Sequence, residues 1–307
     1  MSSEKRIGFI GLGAMGFGMA ASLLRAGHAV RGFDVRKEAV DRLVEAGGEA
    51  AASPREAADG TGLLLVMVVN DAQAEAVLFG EQGALETLPS GTTVVLNSTV
   101  PAAFVRDLAR RLQERGIELL DAPVSGGAVG AEKGELTVMA SGPKAAFDAA
   151  GEALHACART VYRLGTEPGI GSTVKAVNQL LAGVNLVTAA EGMAFGVALG
   201  ADPKVLYDVI RNAAGGSWMF DNRVPHMLDD DYTPRSAVDI WVKDLGLVLD
   251  SARAMKMPLP IAAAAYQVVM MAAARGLGPV DDAAFVKVYE DFTGKPVVRK
   301  GDGSDEG

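Results

Sequence analysis

Cysteine, histidine and positive charge are scarce in this 307-residue sequence. The single cysteine, Cys157, cannot form an intramolecular disulfide, and no Cys/His cluster has the spacing of a metal site. We therefore expect a reducing compartment and no bound metal. Lys and Arg number 29 against 38 Asp and Glu, a net charge of −9. Nucleic-acid binding depends on Lys and Arg neutralising phosphates, so nucleic acid is not an expected partner.

Long uninterrupted hydrophobic runs are also few. Lys5 and Arg6 precede an apolar run to Leu24, a pattern shared with secretory signals, but five glycines from Gly8 to Gly18 interrupt it. That spacing favours a strand, a tight turn and a helix. No other segment approaches the length of a membrane span. We therefore expect a folded cytoplasmic protein without a membrane partner.

The N-terminal half alternates short β-rich runs with helical stretches, which is typical of a parallel sheet wrapped by crossover helices. The predicted strands cover residues 7–10, 30–33, 63–68, 93–96, 117–120, 136–140 and 160–163. The predicted helices cover residues 15–26, 37–46, 72–79 and 102–115. The pattern predicts an α/β domain with a doubly wound sheet over residues 1–168.

The C-terminal half is predicted to be all-α. The β signal ends after Gly171, and residues 174–199 form a long Ala- and Leu-rich helical pattern that joins the two domains. Further helices are predicted over residues 203–212, 238–255, 261–274 and 282–291. We assign residues 169–298 to this helical domain and expect the polar, Gly-rich residues 299–307 to be disordered.

A GxGxxG motif follows the first predicted strand and opens a helix. Its first glycine permits a tight turn, its second lets the backbone approach a pyrophosphate, and its third lets helix and strand pack closely. The helix N-terminus then favours the anion. The motif predicts a Rossmann-type dinucleotide site formed by Gly11, Leu12, Gly13, Ala14, Met15 and Gly16.

Asp34 ends the second predicted strand, at roughly the distance of 20 residues at which an acid binds the adenosine ribose. A carboxylate there accepts hydrogen bonds from the ribose hydroxyls and repels a 2′-phosphate, so NAD is predicted rather than NADP. Arg36 opposes this prediction because it could pair with that phosphate. An ordinary helix cap is the alternative role for Asp34.

Ligands of open α/β sheets lie beyond the carboxyl ends of the strands, so residues that follow the predicted strands are candidates. Asn70 and Thr99 are predicted to line the cofactor, with Ser98 beside them, although turn capping explains such residues equally well. The turn Ser125, Gly126 and Gly127 offers consecutive N–H groups that can bind a carboxylate. A plain surface turn is the alternative for it.

The long helix carries Lys175 and Asn178 three residues apart, and therefore on one face, with Asn185 further along. A helical lysine taken alone is generally solvated. Its apolar neighbours are nonetheless expected to bury the surrounding surface: Val174, Val177, Leu180, Leu181 and Val184.

Four other residues are open to two interpretations. Lys243 with Asp244 is either a site pair or an exposed ion pair of little energetic weight. Trp218 and Phe220 are either pocket walls or core aromatics.

Four ordered motifs resemble those of the β-hydroxyacid dehydrogenases, over residues 7 to about 292. They are GLGAMG at 11–16, DAPVSGG at 121–127, GSTVKAVN at 171–178 and the Lys243-Asp244 pair. The resemblance implies that Lys175 is the general acid/base and that Asn178 orients the substrate. It also implies that Ser125, Gly126 and Gly127 hold the substrate carboxylate, that Lys243 lies near the nicotinamide, and that helical domains pair subunits into a homodimer or homotetramer.

The chemistry agrees with these roles. Oxidation of an alcohol needs a base for the hydroxyl proton while hydride leaves carbon, and a lysine with the ordinary pKa of about 10.4 needs burial or a neighbouring cation to serve near neutral pH.

Within the family, the stretches around Asn70, Trp218 and Asp239 look most like the L-threonate dehydrogenase branch, which oxidises the C2 hydroxyl of a four-carbon sugar acid. Asn178 departs from that branch, where we associate a histidine with this position. The alternatives are a 3-hydroxyisobutyrate dehydrogenase, a tartronate semialdehyde reductase, and a non-catalytic NAD sensor that would need the glycines but not Lys175.

Overall fold

The computed structural model describes residues 6–298, so the tail predicted to be disordered lies outside the described residues. The chain divides into two compact units, Met1–Ala176 and Val177–Gly307. The sequence predicts a boundary after residue 168, whereas the units divide inside a helix that begins at Ile170. Because this helix continues from one unit into the next, no loop marks the division.

A six-stranded parallel sheet forms the centre of the first unit, as predicted. Its order is β3-β2-β1-β4-β5-β6, and the order reverses direction between β1 and β4. The central strands are buried at every position and apolar except for Thr93, which is expected of a sheet covered on both faces. The strands are β1 (Ile7–Ile10), β2 (Val30–Phe33), β3 (Glu49–Ala50), β4 (Leu63–Val66), β5 (Thr93–Leu96) and β6 (Glu118–Asp121).

Seven helices accompany these strands in the described part of the first unit. Four were predicted from their apolar spacing; in α5, Val105, Leu108 and Leu112 form the buried stripe. The other three escaped prediction because two are short and the third buries mainly alanines. They are α1 (Ala14–Arg25), α2 (Lys37–Glu45), α3 (Pro54–Ala58), α4 (Asp71–Phe79), α5 (Ala102–Gln113), α6 (Gly127–Lys133) and α7 (Lys144–Cys157).

The last strands of this unit form a separate sheet, which corrects the expectation of one parallel sheet. The sheet contains β7 (Val124–Ser125), β8 (Leu136–Ala140) and β9 (Ala158–Arg163); β7 runs antiparallel to β8, and β8 parallel to β9. The physical reason is the short connection over residues 126–135. A parallel crossover needs a dozen or more residues, so β7 and β8 pair antiparallel.

The second unit is built from helices in its described part, as predicted. Its core contains Leu186, Met193, Trp241, Leu245 and Phe285. One helix was missed because it follows Gly215-Gly216 and contains Pro225, both of which normally end helices. The helices are α8 (Ile170–Ala198), which begins in the first unit, α9 (Pro203–Ile210), α10 (Trp218–Leu228), α11 (Val238–Ala254), α12 (Pro260–Ala272) and α13 (Phe285–Thr293).

Within residues 6–298, two helical segments are long and apolar enough to cross a membrane, contrary to the expectation that none would be. They are Ile170–Ala198, with a mean hydropathy of 1.5, and Pro260–Leu277, with 1.2. The core helix of a soluble protein meets the same criteria of length and composition. In α8, Leu186, Ala190 and Met193 do belong to the core of the second unit.

Candidate cofactor and substrate sites

The glycine motif forms the turn from β1 into α1, next to the point where the strand order reverses. Gly11 has a φ of +93°, and a Cβ there would lie 2.2 Å from the carbonyl oxygen of Met67. A Cβ on Gly16 would lie 1.9 Å from the oxygen of Gly11. The turn therefore requires glycine at both positions, as the sequence predicts.

Gly13 differs from Gly11 and Gly16, because the place where its Cβ would lie is not occupied by backbone atoms. Among the residues that the structure describes, the one atom within 4 Å of a Cβ at this position is a guanidinium nitrogen of Arg36, 3.6 Å away. Gly13 is the N-cap of α1 and makes no side-chain capping hydrogen bond. The first N–H groups of a helix have no partner within that helix, so this terminus can receive an anion close to the backbone. The loop thus fits the pyrophosphate of NAD.

Asp34 stands at the end of β2 and already has partners within the loop. Its Oδ2 accepts the N–H of Leu12 at 2.7 Å, and its Oδ1 accepts the N–H and the Nε–H of Arg36 at 2.9 and 3.2 Å. Burial acts to raise the pKa of Asp34, but the hydrogen bonds from Arg36 and Leu12 outweigh it and the pKa lies below its ordinary value. The carboxylate therefore supports the loop, a role that sequence reasoning missed.

Two exposed valines adjoin this loop region, and sequence reasoning missed both. Val35 follows Asp34 and is 87% exposed, while Val69 follows β4 and is 59% exposed. Isolated exposed apolar residues are ordinary, but these two stand just after the strands on either side of β1. They are candidates for apolar contact with the adenine of a dinucleotide.

The polar residues after β4 and β5 act first as structural caps. Asn70 caps α4 by accepting the N–H of Gln73 at 2.8 Å. Ser98 is buried and accepts the N–H of Val68 at 2.9 Å. Thr99 follows it and is half-buried. The capping alternative thus holds for Asn70, and Ser98 connects the ends of β4 and β5.

The turn predicted to bind a carboxylate is a connection from strand to helix. Ser125 ends β7, Gly126 and Gly127 have φ values of +134° and +67°, and α6 begins at Gly127. The first helical hydrogen bond runs from the N–H of Gly130 to the oxygen of Gly126. Both glycines are exposed, and a Cβ on Gly127 would meet no atom of the described part of the chain within 4 Å. The turn therefore has room beside its N–H groups.

Asp121, at the end of β6, holds the first turn of α8. Its buried carboxylate accepts the N–H groups of Gly169 and Ser172 at 2.9 and 2.8 Å and the Ser172 hydroxyl at 2.7 Å. Ser141 adds its hydroxyl at 3.4 Å. Burial raises the pKa of Asp121, although these hydrogen bonds act in the opposite direction. The carboxyl group fixes the start of the helix that carries Lys175.

The first turns of α8 reverse the usual arrangement of a surface helix. Ser172, Lys175 and Gln179, at positions i, i+3 and i+7, are buried, and Lys175 is only 6% exposed. Of the apolar residues expected to bury the surrounding surface, Val174, Val177 and Leu181 are exposed, from 37% to 55%, whereas Leu180 and Val184 are half-buried. The expectation was wrong for the first three residues because the polar face of these turns points inward.

Two hydrogen bonds followed by an ion pair link Asn178 to Lys243 in the second unit. The Nδ2 of Asn178 donates to the Oε1 of Gln179 at 2.9 Å, and the Nε2 of Gln179 donates to the Oδ2 of Asp244 at 2.5 Å. Lys243 Nζ lies 2.7 Å from Asp244 Oδ1. Asp244 is buried and Lys243 largely so, which rules out the exposed ion pair. Sequence reasoning missed Gln179, although it adjoins Asn178.

Phe220 and Trp218, the two aromatic candidates, differ in burial. Phe220 is buried and stacks on Tyr207, with ring centroids 6.0 Å apart. Trp218 begins α10 and is 62% exposed. Phe220 is therefore a core aromatic, while Trp218 is not.

Comparison with known proteins agrees with these features. Residues 6–165 match the model of the NAD binding domain of 6-phosphogluconate dehydrogenase. Residues 169–289 match the model described as NAD-binding of NADP-dependent 3-hydroxyisobutyrate dehydrogenase.

Among curated proteins, the chain is 55% identical to L-threonate dehydrogenase of Cupriavidus necator, over 93% of this chain and 96% of that protein. It is 49% identical to L-threonate dehydrogenase of Escherichia coli K12, over 95% and 97%. A crystal structure of 3-hydroxyisobutyrate dehydrogenase from Salmonella typhimurium, 48% identical, superposes with a TM-score of 0.86 over 92% of this chain and 99% of that chain. The chain therefore belongs to the β-hydroxyacid dehydrogenase family, near relatives named L-threonate dehydrogenase, and is an NAD-binding oxidoreductase that acts on CH–OH groups.

Proposed function

We propose that this protein is an NAD-dependent L-threonate dehydrogenase, which oxidises the C2 hydroxyl of a four-carbon sugar acid to the 2-oxo acid. The observation that carries the proposal is the agreement of five curated relatives of that name, at 44 to 55% identity over nearly the full chain. A Rossmann-type loop that fits a pyrophosphate and a buried lysine on α8 supply the groups that the reaction needs.

Lys175 is assigned as the general base in this proposal. It takes the C2 hydroxyl proton during oxidation and returns it during reduction, while bound NAD serves as the hydride acceptor. Ser125, Gly126 and Gly127 bind the substrate carboxylate through their N–H groups and the serine hydroxyl. Asn178 holds a substrate hydroxyl, and Lys243 adds positive charge near the acid.

We assign the cofactor site to the first domain, residues 1–168. The helical domain covers residues 169–298. Residues 11–16 hold the pyrophosphate, Asp34 the adenosine ribose, and Asn70 and Thr99 the remaining length of the dinucleotide. Val35 and Val69 are added here as apolar contacts for the adenine. NAD is favoured because Asp34 is a carboxylate held at the end of β2.

We also propose a cytoplasmic homodimer or homotetramer that forms through the helical domain. The exposed side chains of Val174, Val177 and Leu181 support this assignment, since they form an apolar strip along α8. A second copy of the chain would cover it. Sedimentation of the purified protein tests the assembly.

The name of the Salmonella relative keeps 3-hydroxyisobutyrate dehydrogenase as the second candidate function. A single panel separates the two. It measures kcat/KM for the four stereoisomers of the C4 acid, 3-hydroxyisobutyrate, D-glycerate and L-serine, each with NAD and with NADP. We expect L-threonate with NAD to give the highest value. Good activity on 3-hydroxyisobutyrate with none on any tetronate would move the protein to the second candidate.

A further inference from the structure

We propose that Asp244 and Gln179 are positioning residues that turn the amide of Asn178 so that its carbonyl oxygen is presented to the substrate. Asn178 would then accept a hydrogen bond from a substrate hydroxyl rather than donate one to a carboxylate or a keto oxygen. The inference rests on the proposed function, in which Asn178 contacts the substrate.

The orientation begins at Asp244. Its carboxylate is buried, and the ammonium group of Lys243 lies 2.7 Å from Oδ1. A carboxylate accepts hydrogen bonds and donates none. Gln179 must therefore turn Nε2 toward Oδ2, and the two atoms are 2.5 Å apart. The reversed amide would bring two oxygens together in a buried place and leave both without a donor.

The same logic passes from Gln179 to Asn178. With Nε2 committed to Asp244, Gln179 offers Oε1 as an acceptor. Nδ2 of Asn178 donates to that oxygen at 2.9 Å, and a reversed Asn178 would again oppose two oxygens. The end of the Asn178 amide that points away from Gln179 is therefore Oδ1. The charge on Asp244 determines this orientation two side chains away.

An acceptor at this place selects for a hydroxylated substrate. Asn178 lies three residues beyond Lys175 on α8, and hence on the same helical face. Because the proton of the reacting C2 hydroxyl goes to Lys175, we assign to Asn178 the adjacent C3 hydroxyl, and the test below removes that group. An acid without that hydroxyl leaves the carbonyl oxygen of Asn178 unpaired, and sites of this kind can discriminate by up to about 10⁴ to 10⁵.

The test compares L-threonate with 2,4-dihydroxybutanoate, the same chain without the C3 hydroxyl. The readout is the ratio of their kcat/KM values with NAD, in the wild type and in Asp244→Asn, Gln179→Glu and Gln179→Met. We expect the ratio to fall by about 10-fold or more in each variant at neutral pH, the equivalent of about 1.4 kcal/mol or more, because the hydrogen bond to the C3 hydroxyl is lost. Asn185→Ala, further along α8, is the matched control and should leave the ratio unchanged.

Gln179→Glu adds a pH readout that a merely structural role would not produce. Two carboxylates in contact cannot both stay ionised in a buried place, and the protonated form of the new side chain resembles glutamine. It can donate its O–H to Asp244 and accept from Asn178. In this variant the ratio of kcat/KM values in favour of L-threonate should therefore rise again as the pH falls. The ratio of the wild type should not rise over the same pH range.

The outcomes separate the two proposals. A parallel loss of activity on both acids, with an unchanged ratio, would overturn the positioning role and leave the proposed function intact. If the wild type oxidises neither acid, the proposed function fails. The orientation of the Asn178 amide is then tested by NMR without substrate. The side-chain amide signal of Asn178, assigned from its loss in Asn178→Asp, should then shift in ¹⁵N–¹H spectra of Asp244→Asn and Gln179→Met but not of Asn185→Ala. An unshifted signal would overturn the inference.

Discussion

The cofactor loop and the polar chain on α8 are stabilised in different ways. In the loop, residues 11–16 follow a backbone path that only glycine permits at two places, and Asp34 supports it from 22 residues away. In the polar chain, Gln179 and Asp244 lie 65 residues apart and meet because two helices pack together. The first site depends on backbone conformation and the second on the packing of side chains. Their responses to mutation should differ accordingly.

The largest expected effect is on α8, in the variant Lys175→Ala. Turnover should fall by about 10² to 10⁴, because a general acid/base group is removed. NAD affinity should change little, since the cofactor loop is untouched; kcat and a fluorescence titration with NADH measure the two effects. Lys175→Arg is the matched control and should also be poor, because guanidinium does not release its proton. Turnover within threefold of the wild type would refute the assignment.

Next in size is a contrast inside the loop, between Gly16→Ala and Gly13→Ala. The first variant forces a methyl group against the backbone oxygen of Gly11, so the free energy of unfolding should fall by about 3 kcal/mol or more. In the second variant the methyl group has room, and stability should change little while NAD binding weakens. Denaturant melts and NADH titration measure the pair. Equal effects of both variants on stability would contradict the distinction.

The start of α8 should respond to Asp121→Ala more than to Asp121→Asn. Alanine leaves the N–H groups of Gly169 and Ser172 buried without an acceptor, a loss of about 1–3 kcal/mol for each group. Asparagine keeps one acceptor for them, and its amide can donate to the Ser172 hydroxyl. Urea unfolding of both variants gives the comparison, and equal losses would refute the predicted order.

The same carboxyl group predicts a dependence of stability on pH. Burial raises the pKa of Asp121 in the folded protein above the ordinary 3.8, so the folded state holds the proton more tightly than the unfolded state. Its contribution to stability is therefore present at low pH and is lost as the pH rises through the raised pKa. Asp121→Asn removes this dependence on pH, so the stability of the variant in urea unfolding should improve relative to the wild type as the pH rises above about 4.

A smaller effect concerns the choice of cofactor. Asp34→Asn keeps an acceptor for Leu12 but removes the charge that repels a 2′-phosphate, so kcat/KM with NADP relative to NAD should rise by about 10-fold, the equivalent of about 1.4 kcal/mol. Asp34→Ser should show the same shift with some loss of stability, because the shorter side chain no longer supports the loop. A wild type that prefers NADP would contradict the role given to Asp34.

The smallest effect is expected at Cys157, which belongs to neither the cofactor loop nor the polar chain. Its thiol is buried and lies 3.4 Å from the backbone oxygen of Met19, and burial raises its pKa to about 12. Thiol reagents should leave the native protein and its activity unchanged and react only after unfolding. Mass spectrometry measures the labelling, and rapid labelling of the native protein would contradict this expectation.

The loop was predictable from the sequence because each residue there meets a local requirement. Gly11 and Gly16 are demanded by backbone contacts, and the strands β1, β2 and β5 were predicted with their observed bounds. The second sheet was not predicted, because pairing of the two-residue strand β7 depends on the length of the connection after it. The role of Asp34 within the loop also required the structure.

The sequence by itself determined the α/β and helical halves, the dinucleotide loop and the position of Lys175 on a long helix. Those features follow from hydrophobic periodicity and from glycines at fixed spacing, which act over a few residues. Only the tertiary structure decided that Ser172, Lys175 and Gln179 turn inward, that Asp121 accepts hydrogen bonds from Ser172, and that Asp244 accepts one from Gln179. The physical reason is that a buried polar face is stabilised by partners distant in the sequence, and the helical pattern alone does not identify those partners.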